Sequence, residues 1–458
     1  MAELVVRGGA IVRRDKTVSA DIAVEDGLIS AVGPELPGAR QEIDARGLTV
    51  FPGLIDIHVH FNEPGREEWE GAATGGRALA AGGATMFFDM PLNSSPCTVG
   101  PAEFDEKREA LEKSSITDFA LWGGIIPGNC GALAELAERG VIGFKAFMAD
   151  SGLPEFPRCD DLTLYEAMHE AARLGLPVAV HAENDEHIKS LTARAGAAGR
   201  TGVRDYLESR PVLAEVAAIE RAALLAAETG VKLHIVHVSS GRGVAAAFEA
   251  RARGVDIAIE TCPHYLFFTE EDMERIGAAA KCAPPLRNAH ERHRLWGALQ
   301  RGVINVVGSD HSPAPPEMKA DPNFFRIWGG IAGGQSTLAV LLTAGYHERR
   351  LPLARIAELT AAWPARRFHL KRKGSIAAGN DADLTLVDLG ASYTLQQDDL
   401  MQRHRISPYV GQSFRGVVRH TILRGQPIFA DGKIVAKGAG RFVRPAPAVS
   451  SQHSGFSQ

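Results

Sequence analysis

Eight short apolar runs constrain this chain more than any other feature. They are Leu54–His60, Ala84–Met90, Phe119–Ile126, Gly143–Met148, Pro177–Glu183, Lys232–Val238, Asp256–His264 and Ile304–His311. Longer stretches rich in Ala, Leu and Glu, such as Leu162–Leu174, Leu213–Thr229 and Ser336–His347, lie between or after them. Apolar runs that alternate with helical stretches describe a parallel sheet. Eight such units predict an α/β fold, a TIM-type (β/α)8 barrel over residues 51–370.

Both ends have a different rhythm. Leu4 to Val6, Ile22 to Val24 and Leu28 to Val32 read as short strands, the last two around Asp26-Gly27. Asp383 to Val387, Val417 to Leu423 and Ile428 to Val435 repeat the style, the last around Asp431-Gly432. An Asp-Gly pair between alternating runs is a hairpin signal. Residues 1–50 and 371–443 are therefore expected to pack together as a small β-sandwich. Residues 444–458, rich in Pro and Ser and without periodicity, are expected to be a flexible tail.

With 50 basic and 55 acidic residues the net charge is -5, and no basic block stands out. Nucleic acid and anionic membrane are poor partners for such a surface. Five scattered cysteines argue against a disulfide framework and for a reducing compartment. No run has the length of a signal region or a membrane span, so a cytoplasmic protein is expected.

Polar groups interrupt the apolar runs at one structural level, near the strand ends. In Asp56-Ile-His58-Val-His60, residues two apart share a face, so both imidazoles converge. His181 closes the fifth run, His237 the sixth and Asp310 the eighth, while Lys145 lies in the fourth. Strand ends are where such barrels collect their chemistry, and convergent imidazoles with a carboxylate suit divalent metals. A cationic Lys145 would repel metal. Burial lowers a lysine pKa, however, and a neutral amine can add carbon dioxide to become an anionic carbamate able to bridge two cations. An alternative is a salt bridge from Lys145 to an acidic neighbour such as Asp150.

These residues resemble the amidohydrolase superfamily, in its cyclic-amidohydrolase branch of dihydroorotases, hydantoinases, dihydropyrimidinases and allantoinases. The resemblance rests on Gly53-Leu-Ile-Asp-Ile-His58-Val-His60, Gly143-Phe-Lys145, His181-Ala-Glu, His237-Val-Ser, Glu260-Thr-Cys-Pro-His264-Tyr and Gly308-Ser-Asp310-His311-Ser-Pro. It implies a barrel with a binuclear metal centre and a side β-sandwich. His58, His60 and Asp310 match ligands of the more buried metal. His181 and His237 match those of the second, and Lys145 matches the bridging carbamylated lysine (N6-carboxylysine). The metals are expected to be zinc, with manganese, cobalt or nickel as alternatives, and relatives are commonly homotetramers.

Within the branch, the motifs discriminate. Dihydroorotases usually carry arginine where this chain has Asn62, and asparagine lacks the charged fork a carboxylate prefers. Hydantoinases and dihydropyrimidinases typically place tyrosine where Asp150 stands, and Ser-Pro-Pro-Leu-Arg where Ala283-Pro-Pro-Leu-Arg287 stands. Asn62 to Gly71, Met90-Pro-Leu-Asn-Ser-Ser-Pro96 and Trp328 to Ser336 are similar to allantoinases. That likeness implies hydrolysis of a cyclic ureide, allantoin to allantoate, by a hydroxide bridging the metals with Asp310 as proton carrier. Asn62, Ser151, Ala283 and Gly330 are the expected substrate contacts. Asn62 and Ser151 also read as ordinary turn and loop residues. His264 and His311 are expected to orient ligands or water, His234 to pack against helices, and Cys262 and Cys282 to be buried structural thiols. The rivals are a hydantoinase or dihydropyrimidinase, then a dihydroorotase, then a non-catalytic assembly homologue.

Overall fold

A computed structural model describes residues 2–446 apart from positions 437 and 439. Eight parallel strands, β1 (Leu54–Val59), β2 (Ala84–Asp89), β3 (Asp118–Leu121, resuming at Gly123–Gly124), β4 (Phe144–Phe147), β5 (Val178–His181), β6 (Leu233–Ile235), β7 (Ile257–Thr261) and β8 (Val306–Val307), form the barrel. The ring closes through a parallel bridge between Val59 and His311, where His60 N donates to His311 O at 2.8 Å. The wall is buried throughout β1, β2 and β5. Strands covered on both faces read as continuous apolar runs, which is why the sequence disclosed them.

Helices Asp161–Leu174 and Val212–Thr229 fall on expected stretches. Asp160 caps the first by accepting from Thr163 N at 2.8 Å, and a left-handed Gly175 ends it. The stretch expected over Ser336–His347 instead splits into one α-helical turn, Thr337–Val340, and a wider π-helical segment, Leu341–His347. Several barrel strands are shorter than their apolar runs. His237 and Asp310, just past β6 and β8, adopt left-handed backbone (φ 39° and 48°).

Both chain ends build one nine-stranded sheet. Its order is Lys433–Ile434, Gln426–Ala430, Ser413–Leu423, Leu384–Thr394, Thr49–Pro52, Leu4–Val12, Thr17–Glu25 and Leu28–Gly33, with Gln41–Asp44 also paired to Leu4–Val12. The first strand serves two parallel partners because it bulges between Val6 and Gly9, with Gly8 at φ 62°. Asp26-Gly27 and Asp431-Gly432 both have positive φ, as a two-residue hairpin of the primed type demands. A third such turn, Arg424-Gly425, has no Asp or Asn to announce it. One apolar cluster joins Val6, Ile22 and Val24 from the N-terminal strands to Leu384, Leu386 and Ile422 from the C-terminal ones.

The sheet is tied to the barrel electrostatically. Lys373 Nζ lies 2.7 Å from Asp118, 2.9 Å from Asp381 and 2.6 Å from Asp383, all buried. Arg441 to Val443 lie beside β3, with Phe119 N donating to Arg441 O and Val443 N to Phe119 O. Of the expected tail, Arg444 and Ala446 hydrogen-bond to Glu138 and His369, and residues 447–458 lie outside the described residues.

Candidate metal centre

Alternation in β1 turns His58 and His60 to one side, where both meet Asp310 at the end of β8. Asp310 Oδ1 is 3.2 Å from His58 Nε2 and 3.4 Å from His60 Nε2. His58, His60 and Asp310 thus form a group of three donors with ligand spacing. A second pair faces it: His181 Nδ1 lies 3.0 Å from His237 Nε2, and the His58 and His237 rings are 5.4 Å apart.

Lys145, in β4, is fully buried and its Nζ has no hydrogen-bond partner among the described residues. Nor does any described carboxylate reach ion-pair distance, and Asp150 is exposed, so a salt bridge to that neighbour is not formed. The amine sits 3.8 Å from the centroid of Phe147. Burial pushes Lys145 down to about 7, against the pull of Asp310 and Glu260. An unpaired buried ammonium is costly, so the site favours either a neutral amine or a chemically altered one.

The imidazoles are held in the state a metal needs. Burial keeps His60, His181 and His237 below the usual histidine range, and the neighbouring His181 and His58 deepen the effect at His237. Neutral imidazole is the ligating form. His58 differs: burial opposes its charge, but Glu260 and Asp310 outweigh burial and raise it. At Asp310 burial works against ionisation and His58 and His60 overcome it, holding the carboxyl below the usual range.

Two buried glutamates orient the rings. Glu260 accepts from His58 Nδ1 at 2.7 Å and from His234 Nε2 at 2.8 Å. Glu183 contacts His181 Nε2 at 2.8 Å and Arg210. These carboxylate–imidazole pairs fix which ring nitrogen is free to ligate. His234, expected to pack against helices, therefore belongs to this network, because the shared carboxylate offers two acceptor oxygens. Glu183 follows His181 by two residues and carried a same-face signal in the sequence. Arg210, remote in the chain, carried none. His264 is buried with neither ring nitrogen partnered among the described residues, and His311 Nδ1 accepts from Gly334 N at 3.2 Å. Cys262 and Cys282 are buried unpaired thiols, and Cys262, His264 and Asp310 form another group with ligand spacing.

A cavity of about 620 Å³ opens over the centre, lined among others by His58, His60, His181, His237 and Asp310. Ser151, Ala283 and Gly330 line it too, whereas Asn62 does not. Asn62 is buried with both side-chain amide atoms unpartnered among the described residues, at φ 65°, and its backbone carbonyl accepts from Arg66 N at 3.2 Å, as a turn residue would. The Ser151 hydroxyl is engaged within its own loop, donating to Phe156 O at 2.6 Å. Gly330 N donates to Lys281 O at 2.9 Å, so that group is committed. Asn93, Tyr206 and Arg210 are lining residues that the sequence reading missed.

Comparison with known proteins places this architecture. Residues 49–435 match the amidohydrolase family. An allantoinase of Solibacter usitatus is 68% identical over 97% of both chains, and one of Rubrobacter xylanophilus is 60% identical over 97% of this chain and 98% of its own. Among solved structures, L-hydantoinase (dihydropyrimidinase) from Arthrobacter aurescens superposes with a TM-score of 0.94 at 34% identity, covering 97% of this chain and 100% of that one. D-hydantoinase (dihydropyrimidinase) from Thermus sp. gives 0.91 at 30% identity, over 97% of this chain and 99% of that one. The chain belongs to the amidohydrolase family, as a hydrolase of cyclic amides.

Proposed function

We propose that this chain hydrolyses allantoin to allantoate. The supporting observation is near-full-length identity of 60% and 68% to proteins named allantoinase, against 34% to the hydantoinase whose fold it shares. Of the arginines that line the cavity, Arg210 is already paired with Glu183 and Arg326 is exposed.

The donor set fits two divalent cations, by preference zinc. His58, His60 and Asp310 would hold one, and His181 and His237 the other. Lys145 Nζ, buried and without a hydrogen-bond partner among the described residues, would serve them as an anionic carbamate. When bound, such a pair supplies Lewis-acid activation of water and of the amide carbonyl near neutral pH. The remaining chemistry belongs to the protein. Asp310 takes a proton on a carboxylate oxygen as water attacks the ring amide, and returns it to the departing ring nitrogen. Glu260 and Glu183 keep His58 and His181 aligned throughout. Backbone groups near Ala283 offer the neutral polar edge that a ureide prefers.

A reducing, cytoplasmic setting is consistent with five unpaired thiols, and no described helix is long and apolar enough to cross a membrane. A homo-oligomer is the assembly that the family resemblance implies. Purified, metal-loaded enzyme assayed on allantoin, hydantoin and dihydrouracil tests the substrate. Turnover greatest on allantoin is expected, and activity confined to dihydrouracil refutes the proposal.

A further inference from the structure

The cavity has one wall made of loop, residues 325–330, and that wall is held by two lysines that no carboxylate accompanies. Lys281 Nζ donates to Phe325 O at 3.2 Å and to Ile327 O. Lys319 Nζ donates to Trp328 O at 2.8 Å, Gly330 O at 2.7 Å and Ala278 O at 3.3 Å. Four of these five carbonyls lie on one six-residue segment, every residue of which lines the cavity. The Lys281 ammonium also lies 4.6 Å from the Tyr206 ring and 5.4 Å from Phe324, so aromatic faces complete its shell.

Neither lysine forms an ion pair with a described residue. Burial pushes both down to about 7, with the neighbouring cations Arg210 and Lys319 adding to the effect at Lys281. Burying an ammonium with only carbonyls for company is a poor route to stability. A turn satisfied by its own backbone would have been simpler. What the arrangement does achieve is geometric. Lys281 reaches the loop through its side chain, and its own carbonyl accepts from Gly330 N at 2.9 Å. It thereby couples the loop to Cys282 and Ala283 on the adjoining wall. At Gly330 a side chain would have no room, since a Cβ would meet Ser312 O at 2.2 Å.

We propose that Lys281 and Lys319 are positioning residues that fix the loop 325–330 against the wall at 282–283, and so set the shape in which the ring substrate is held. The inference rests on the reading of this cavity as a cyclic-ureide site. Neither lysine touches the metal ligands, so its loss should act on substrate binding and leave the metal centre intact.

Lys281→Met and Lys319→Met keep the aliphatic stem and remove the donors. Each is expected to retain wild-type metal content, to raise KM for allantoin roughly 10- to 100-fold, and to change kcat much less. Arg326 is exposed within the loop, so tryptic cleavage of the Arg326–Ile327 bond, followed by mass mapping, should accelerate in both variants. Lys281→Arg, which restores a cationic donor, should recover slow cleavage and part of the KM. Wild-type KM together with wild-type cleavage in both methionine variants overturns the inference. So does a parallel loss of metal and kcat at unchanged KM. Absence of allantoin turnover by the wild-type protein would refute the substrate assignment alone, because cleavage at Arg326 reports on the clamp without any substrate.

Discussion

Replacing Glu260 by glutamine tests whether the carboxylates behind the imidazoles matter as much as the ligands. Glu260 is fully buried, and its two oxygens serve two different rings, His58 Nδ1 at 2.7 Å and His234 Nε2 at 2.8 Å. Burial disfavours its charge, yet His58 and His234 hold the carboxyl well below the usual range. An amide is nearly isosteric but offers one acceptor where the carboxylate offered two, and it turns an N–H donor toward the second ring. Either His58 or His234 must then change tautomer or rotate. If His58 is the one that yields, its Nε2 no longer presents a lone pair to the site it shares with His60 and Asp310. Losses of this kind reduce metal affinity about 10- to 100-fold, or about 1.4 to 2.7 kcal/mol. The expected outcome for Glu260→Gln is weaker metal retention by that factor in a chelator competition. Activity should fall at low metal and partly recover as metal is raised. Wild-type affinity and wild-type activity at limiting metal would refute the reasoning. Loss of fold would show instead as a collapsed circular dichroism spectrum.

Three other outcomes follow from the same contacts. Lys373→Met removes the ammonium that Asp118, Asp381 and Asp383 share, while Arg424 and Arg372 stay beside Asp118 and Asp381, and a denaturant titration should show a loss of about 3 kcal/mol. That deficit should shrink as the pH falls and Asp383, whose carboxyl burial holds above the usual range, protonates. Glu183 is held down at about 2, where burial is outweighed by the charge of Arg210 and the bond to His181. Its depressed folded-state pKa contributes stability above the ordinary glutamate range, lost as pH falls from about 4 toward 2. Arg210→Met should move that loss to higher pH in a thermal scan, and an unchanged profile contradicts the assignment. Gly330→Ala, facing a 2.2 Å approach to Ser312 O, should raise KM or abolish binding without stripping metal, as read by kinetics and metal analysis side by side.

Some elements were legible because one local pattern dictated them. The barrel strands are buried on both faces, so burial itself wrote the apolar runs, and His58-Val-His60 displays its shared face in a period of two. Asp26-Gly27 announced its turn, whereas Arg424-Gly425 adopts the same geometry with no such residue to mark it. His237 and Asp310 could be identified as strand-end groups, but not their left-handed backbone just past β6 and β8. Asn62 shows the limit for binding contacts: its position matched a family motif, but the turn it occupies keeps it off the cavity lining. The lysines clamping the loop 325–330 were unreadable for the same reason. Their partners are backbone carbonyls, and carbonyls have no sequence signature.

The most direct test concerns the chemical state of Lys145. Protein prepared with zinc and isotopically labelled bicarbonate should give a carbamate carbon resonance, absent from Lys145→Ala, that fades as the metals are chelated. The same variant should bind little metal and lose turnover. An active wild-type preparation whose Lys145 carries no carbon dioxide adduct, or full turnover by Lys145→Ala, would contradict the account.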